Sequence, residues 1–147
     1  MGLFKFIKSA GEKLFGASEA QAAPADALKA EAAKHGLDTS NVNVTVDGDK
    51  VKVTGKAMST EEAEKIILAM GNTIGVDQVE SELVVNKEVP QSTFVTVVKG
   101  DTLWKIAEKA YGKGKGGEYN KIFEANKPLL SHPDKIYPGQ VLRIPAA

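Results

Sequence analysis

Met70-Gly71-Asn72-Thr73-Ile74-Gly75-Val76 is the stretch where a charged, periodic helix stops and the chain turns into a strand. Upstream, Ser59 and Glu62 have the spacing of a capping box, and Ala63, Ile66, Ile67 and Met70 supply the buried stripe of a helix. Downstream, Val76, Val79, Leu83 and Val85 predict a strand, with Glu80 and Glu82 on its other face. A helix C-terminus leaves several carbonyls without intrahelical partners, and two nearby glycines permit positive φ angles that aim carbonyls inward. Such a turn can hold a cation. Uncharged carbonyls suit a large monovalent ion whose hydration shell they replace, whereas calcium and magnesium usually demand carboxylates. Taken alone, a glycine-capped helix before a turn is ordinary punctuation.

Working back from this turn, Val42, Val44 and Val46, then Val51 and Val53, alternate with polar residues around Asp47-Gly48-Asp49. That is a β-hairpin with one apolar face. The two aspartates lack the ligand pattern of an EF-hand and read as turn residues. Before the hairpin, Pro24 suits a first helical turn, and Ala27, Leu28, Ala32 and Ala33 form the inner face of a helix that stops at His35-Gly36. His35 can titrate near neutrality, but a cation in a last turn also complements the helix dipole. Residues 17–23 are small and polar and read as a connector. The opening Met1 to Gly16 places Leu3, Ile7, Ala10 and Leu14 at helical spacing among lysines, which predicts a short amphipathic helix. Such a helix packs on its own domain or lies on a membrane surface. Lysines interrupt the apolar run that a secretory signal needs, and Phe6 stands where a myristoylation motif wants Ser or Thr. A cytoplasmic protein is therefore expected.

Beyond the turn, Asn86 to Ser92 carries a proline and no periodicity, which marks an interdomain linker. Phe94 to Val98 then reads as a strand, Gly100-Asp101-Thr102 as a turn that can cap a helix, and Leu103, Ile106 and Ala107 as that helix's core face. Tyr111-Gly112 ends it. The Gly112 to Gly117 segment is a basic loop, since it lacks the Gly-Lys-Ser/Thr ending of a phosphate cradle. Tyr119, Ile122, Phe123 and Ala125 predict a second helix, and Ile136 to Pro145 ends in a strand.

Length and composition support two small domains. The chain has 147 residues, 42% hydrophobic and 26% charged, which is ordinary for a globular protein. A formal net charge of zero removes the electrostatic argument for nucleic acid as a partner. With no cysteine, disulfides and cysteine metal sites are excluded. The two histidines, His35 and His132, fall in different predicted domains, and no nucleophile–base pairing is visible, so an enzyme is not expected.

The order helix, hairpin, helix, strand, with Val51-Lys-Val-Thr-Gly55 and Ile74-Gly75-Val76, resembles the BON family. That family has an αββαβ fold credited with interaction or lipid-surface roles rather than catalysis. Val98-Lys-Gly-Asp-Thr-Leu-Trp-Lys-Ile-Ala107, Ile122-Phe-Glu-Ala-Asn126 and Ile136-Tyr-Pro-Gly-Gln-Val-Leu-Arg-Ile-Pro145 resemble the LysM family, a βααβ module that binds N-acetylglucosamine glycans such as peptidoglycan. The likeness implies a glycan groove at Gly100, Asp101, Thr102 and Leu103 facing the loop Ile136, Tyr137, Pro138 and Gly139. The expected fold is thus α+β: an N-terminal helix and connector at 1–23, BON at 24–87, linker at 88–92, and LysM at 93–147.

The combination, with Met1-Gly-Leu-Phe4, Ala10-Gly-Glu-Lys-Leu14 and Lys121-Ile-Phe-Glu-Ala-Asn-Lys-Pro128, resembles a bacterial family of potassium-binding proteins built from these two domains. This resemblance implies a monomeric cytoplasmic K+ sensor that becomes compact on binding. It also implies main-chain carbonyl ligands at Ile7, Ala10, Glu12, Gly71, Thr73 and Val76. Glycan binding through the LysM groove and a membrane-surface adaptor, without membrane insertion, remain the alternatives.

Overall fold

The computed structural model describes residues 2–14, 16–18, 21–87, 93–127 and 129–145. The α+β architecture is as expected. In the first domain, α1 (Ala25–Lys34), β2 (Val42–Asp47), β3 (Lys50–Ser59), α2 (Thr60–Gly71) and β4 (Gln78–Lys87) follow one another. A preceding strand, β1 (Gly2–Lys5), joins their sheet, whose order is β1-β4-β3-β2. The β2–β3 hairpin is antiparallel, with Asp47 paired to Lys50 across Gly48 and Asp49. The β3–β4 pair is parallel, which requires the crossover that α2 supplies. In the second domain, β5 (Thr93–Thr96) pairs antiparallel with β6 (Val141–Ile144), and α3 (Leu103–Tyr111) and α4 (Tyr119–Ala125) lie between them in the chain. The expected linker, 88–92, lies outside the described residues.

Caps explain where the helices begin. Ser59 accepts the N–H of Glu62 at 3.1 Å, and Thr102 accepts that of Lys105 at 3.2 Å, each satisfying a donor that the helix cannot. Helix α2 is buried more completely than its expected stripe. Ile66, Ile67, Leu68, Ala69, Met70 and Gly71 are all buried, because the sheet and α1 cover one side while β6 of the second domain covers another. A helical segment apolar all round, as the C-terminal half of α2 is, belongs inside a protein, and each fully buried Ile or Leu contributes about 1.5–3 kcal/mol. In α1, Leu28 and Ala32 face inward as expected, whereas Ala33 faces solvent and Glu31 takes an inner position.

The opening amphipathic helix is the main correction. Residues 2–5 form a strand antiparallel to β4, with Leu3 opposite Glu80 and Phe4 opposite Val79, and residues 6–14 run on as turns and extended chain. Two periodicities compete in this stretch. The helical set leaves Leu3 at 55% and Ile7 at 46% exposure, while Phe6 is buried at 5% and Phe4 packs on the first core. Alternation wins because β4 offers an open edge, and Phe4 additionally meets Phe94 edge-to-face at 5.0 Å. Gly11, at φ 105°, lies in a region that is poor for continuing a right-handed helix.

Candidate functional site

The segment after β1 lies alongside the turn after α2. Continuing α2 would send the N–H of Ile74 to Met70 and that of Gly75 to Gly71. Instead the Ile74 N–H donates to the Glu12 carbonyl at 2.9 Å, and the Gly75 N–H to the Lys8 carbonyl at 2.8 Å. In return, Glu12 N–H donates to the Asn72 carbonyl at 3.1 Å and Phe6 N–H to the Asp77 carbonyl at 2.9 Å. Glu12 and Thr73 form a parallel bridge.

This exchange leaves carbonyls over. The Thr73 hydroxyl donates to Met70 O at 2.7 Å, but no donor among the described residues reaches the carbonyls of Ala10, Gly71 or Val76. Those of Ile7, Glu12 and Thr73 each accept one backbone N–H, from Ala10, Ile74 and Val76, and a carbonyl has a second lone pair. Gly71, Thr73 and Val76 are buried, so bulk water is a poor partner for them.

Two glycines, Gly11 and Gly71, allow that approach, and a third, Gly75, lets residues 18 and 21 close on the turn. A Cβ on Gly11 would lie 2.3 Å from Asn72 O, one on Gly71 within 2.3 Å of three Phe6 ring atoms, and one on Gly75 2.1 Å from Gln21 O. A carbonyl-lined cradle therefore fits this junction, and a bare alkali cation fits the donor set.

Charged side chains surround the junction without entering the backbone exchange. Lys34 Nζ lies 3.0 Å from Glu12 and 3.2 Å from Glu31, and His35 Nε2 lies 3.2 Å from Glu31. Burial, then the facing Glu12, pushes the Glu31 carboxyl up, while hydrogen bonding from Glu31 and Lys34 holds Glu12 down. Among the described residues, Glu12, Glu31 and His35 are the one group with three candidate metal-ligating atoms within 4.8 Å of one another. The Lys34 ammonium already bridges both carboxylates of that group. A cavity of about 370 Å³, lined by Gly11, Glu12, Glu31, Asn72 and Tyr137 among others, separates this network from the second domain. Burial, with the Glu12 charge, pushes the Tyr137 phenol up to about 12.

The two stretches expected to form the LysM groove are tied together by a main-chain hydrogen bond. Gly139 N–H donates to Val97 O at 2.7 Å, joining the 136–139 loop to the turn before α3. In that turn Asp101 Oδ2 accepts the Val98 N–H at 3.0 Å, Thr102 caps α3, and Leu103 is in the core. Pro138 is exposed, Ile136 packs on the second core, and Tyr137 N–H donates to Gln140 Oε1 at 3.2 Å. Gly139 faces the opening segment: a Cβ there would lie 2.5 Å from that of Ala10.

The family models match along the whole two-domain pattern, the BON domain at residues 21–87 and the LysM domain at 95–145. The chain is 46% identical, over 99% of both sequences, to the potassium binding protein Kbp of Escherichia coli O6:H1 strain CFT073. It belongs to the Kbp family. An uncharacterized protein of Deinococcus radiodurans is 38% identical over 74% of this chain and 46% of its own length, and YqbP of Bacillus subtilis is 38% identical over 41% and 30%. The name of the Escherichia coli relative is that of a binding protein. Among the described residues no helix is long and apolar enough to cross a membrane.

Some of the junction lies beyond sequence reasoning. The Lys8 carbonyl, the Phe6 ring over Gly71 and the Asn72 side chain each act on residues distant in the chain. Only the paired glycines, Gly71 and Gly75, signal a close approach in the sequence.

Proposed function

We propose that this Kbp homologue is a cytoplasmic K+ sensor whose ion is held by main-chain carbonyls of the opening segment and the α2 turn, with Ile7, Ala10, Glu12, Gly71, Thr73 and Val76 as ligands. The observation that carries this reading is the diversion of the Gly75 N–H to the Lys8 carbonyl, which leaves the buried Gly71 carbonyl, like those of Ala10 and Val76, without a donor among the described residues. The name and full-length identity of the Escherichia coli relative supply the ion. When bound, K+ supplies the positive charge that those lone pairs lack.

Such an ion fastens the opening segment to the BON domain, so binding free energy becomes ordering free energy. At about a hundredfold excess over the dissociation constant it adds about 2.7 kcal/mol of stability. Calorimetric titration of desalted protein with K+ and then Na+ tests the reading: K+ is expected to bind, raise the melting temperature and shrink the molecule, and Na+ at equal ionic strength to do so far less. Equal responses would reduce the effect to charge screening.

The LysM match favours one second reading, binding of an N-acetylglucosamine glycan. The contact between Gly139 and Ala10 weighs against it, since a glycan in that groove competes with the opening segment for the loop.

A further inference from the structure

The BON and LysM domains meet along the free edge of β6. One edge of that strand pairs with β5, and on the other its main chain meets side-chain amides. The Asn72 Nδ2 donates to Val141 O and Oδ1 accepts the Val141 N–H, both at 2.9 Å. Two residues along, Asn126 treats Arg143 in the same way, again with both bonds at 2.9 Å. Residues at i and i+2 of a strand present their N–H and C=O to the same side, so the two amides together imitate a neighbouring strand.

The two asparagines differ in origin. Asn126 caps α4 inside the LysM domain and also donates to Ile122 O. Asn72 comes from the other domain and stands in the middle of the α2 turn, between Gly71 and Thr73, with its own carbonyl taking the Glu12 N–H. One residue therefore holds the opening segment by its main chain and the LysM domain by its side chain.

We propose that Asn72 is a positioning residue that couples K+ occupancy of the α2 turn to docking of the LysM domain, a proposal that rests on the potassium reading above. A short side chain that holds a donor and an acceptor of one residue at once leaves its Cα little freedom, because a hydrogen bond weakens steeply beyond about 3.2 Å or below about 120°. An ion that fixes the carbonyls of Gly71 and Thr73 fixes the Cα between them. By linkage, a docked LysM domain in turn raises the affinity of the turn for the ion. Another clamp, from Arg143 Nε and Nη2 to Glu64 Oε1 at 3.1 and 2.8 Å, reaches α2 two turns earlier and has no main-chain share in the cradle.

Amide hydrogen exchange on the full chain tests the coupling, read at Val141 and Arg143 in K+-free buffer and in saturating K+. The expected result is that K+ slows exchange at Val141 by about tenfold, within the usual range of coupling between sites, and slows Arg143 several times less. In Asn72→Ala, calorimetry is expected to show K+ still binding, with weaker affinity, while the Val141 response disappears. Asn72→Asp, which keeps the acceptor for the Val141 N–H, restores part of it. A wild-type Val141 indifferent to K+ that calorimetry shows to be bound overturns the proposal, as does a full response in Asn72→Ala. Should Asn72→Ala not fold, the wild-type comparison of Val141 with Arg143 decides alone. A wild type that binds no K+ refutes the potassium reading itself, and this proposal with it.

Discussion

The turn after α2 and the mouth of the LysM domain are built from similar parts and end in opposite states. Both join a helix end to a strand or loop, and both contain glycines at positive φ, Gly75 at 96° and Gly100 at 91°. At the LysM mouth four carbonyls of the turn before α3 are used: Val97 O takes Gly139 N–H, Val98 O takes Asp101 N–H, Thr102 O takes Ile106 N–H, and Gly100 O takes Lys105 Nζ at 3.3 Å. At the α2 turn, two donors leave for the opening segment, and among the described residues no donor reaches the carbonyls of Gly71 and Val76 there or of Ala10 facing them. The glycines differ as well, for a Cβ on Gly100 would meet open space while one on Gly75 would strike backbone. A glycine-rich turn becomes a candidate ion cradle when a second segment removes its donors, and the glycine count alone does not reveal that.

The largest effect should come from releasing that second segment. Phe6 is buried and its ring lies on Gly71, so Phe6→Ala removes a core aromatic at about 3–5 kcal/mol. It should also abolish the K+-dependent rise in melting temperature, while nuclear magnetic resonance shifts of the LysM mouth around Asp101 stay in place. A K+ response that survives in this variant would mean that the opening segment has no part in the cradle.

The paired glycines give a smaller and more selective contrast. Gly75→Ala forces a side chain into positive φ, about 1–2 kcal/mol, and into the carbonyl oxygens of Gln21 and Ser18, 2.1 and 2.4 Å from the new atom. Overpacking adds about 1–3 kcal/mol. Gly100→Ala incurs the conformational part only, about 1–2 kcal/mol. Urea unfolding of both variants measures the difference, and equal losses would break the contrast between a filled and an open turn.

The contrast also shows where sequence reasoning works. Helix α2 is legible because its cap and its apolar stripe are local, Ser59 with Glu62 and Ala63 to Met70. The hairpin is legible from alternating valines around Asp47 to Asp49. The LysM elements follow from motifs spanning nearly the whole domain. The opening segment is misread because Leu3, Ile7, Ala10 and Leu14 satisfy a helical period while Phe4 and Phe6 satisfy a strand's, and the arbiter is β4, more than seventy residues away. The proposed carbonyl positions come from the sequence by resemblance alone. Which of them lack a donor cannot be read there, since that depends on which N–H the Lys8 and Glu12 carbonyls capture.

The smallest predicted effect separates main-chain from side-chain fastening. Lys8, whose carbonyl captures Gly75 N–H, also extends its ammonium to Asp49 Oδ2 at 3.0 Å. That hydrogen bond holds the Asp49 carboxyl below its ordinary 3.8 and raises Lys8 above its ordinary 10.5. A carboxyl depressed by folding contributes stability above its unfolded value and loses it as pH falls through the folded one. A raised ammonium contributes below its unfolded value and loses it as pH rises through the folded one. The melting-temperature difference between wild type and Asp49→Asn should therefore be flat between about pH 5 and about pH 9 and should shrink below about pH 4. It should be small throughout and smaller in high salt, because the pair is open to solvent. The K+ response should persist in Asp49→Asn, since the Gly75–Lys8 and Ile74–Glu12 hydrogen bonds are untouched. If that substitution removes the response, the opening segment is held by charge, and the accounting of carbonyls that distinguishes the α2 turn from the LysM mouth does not explain ion binding.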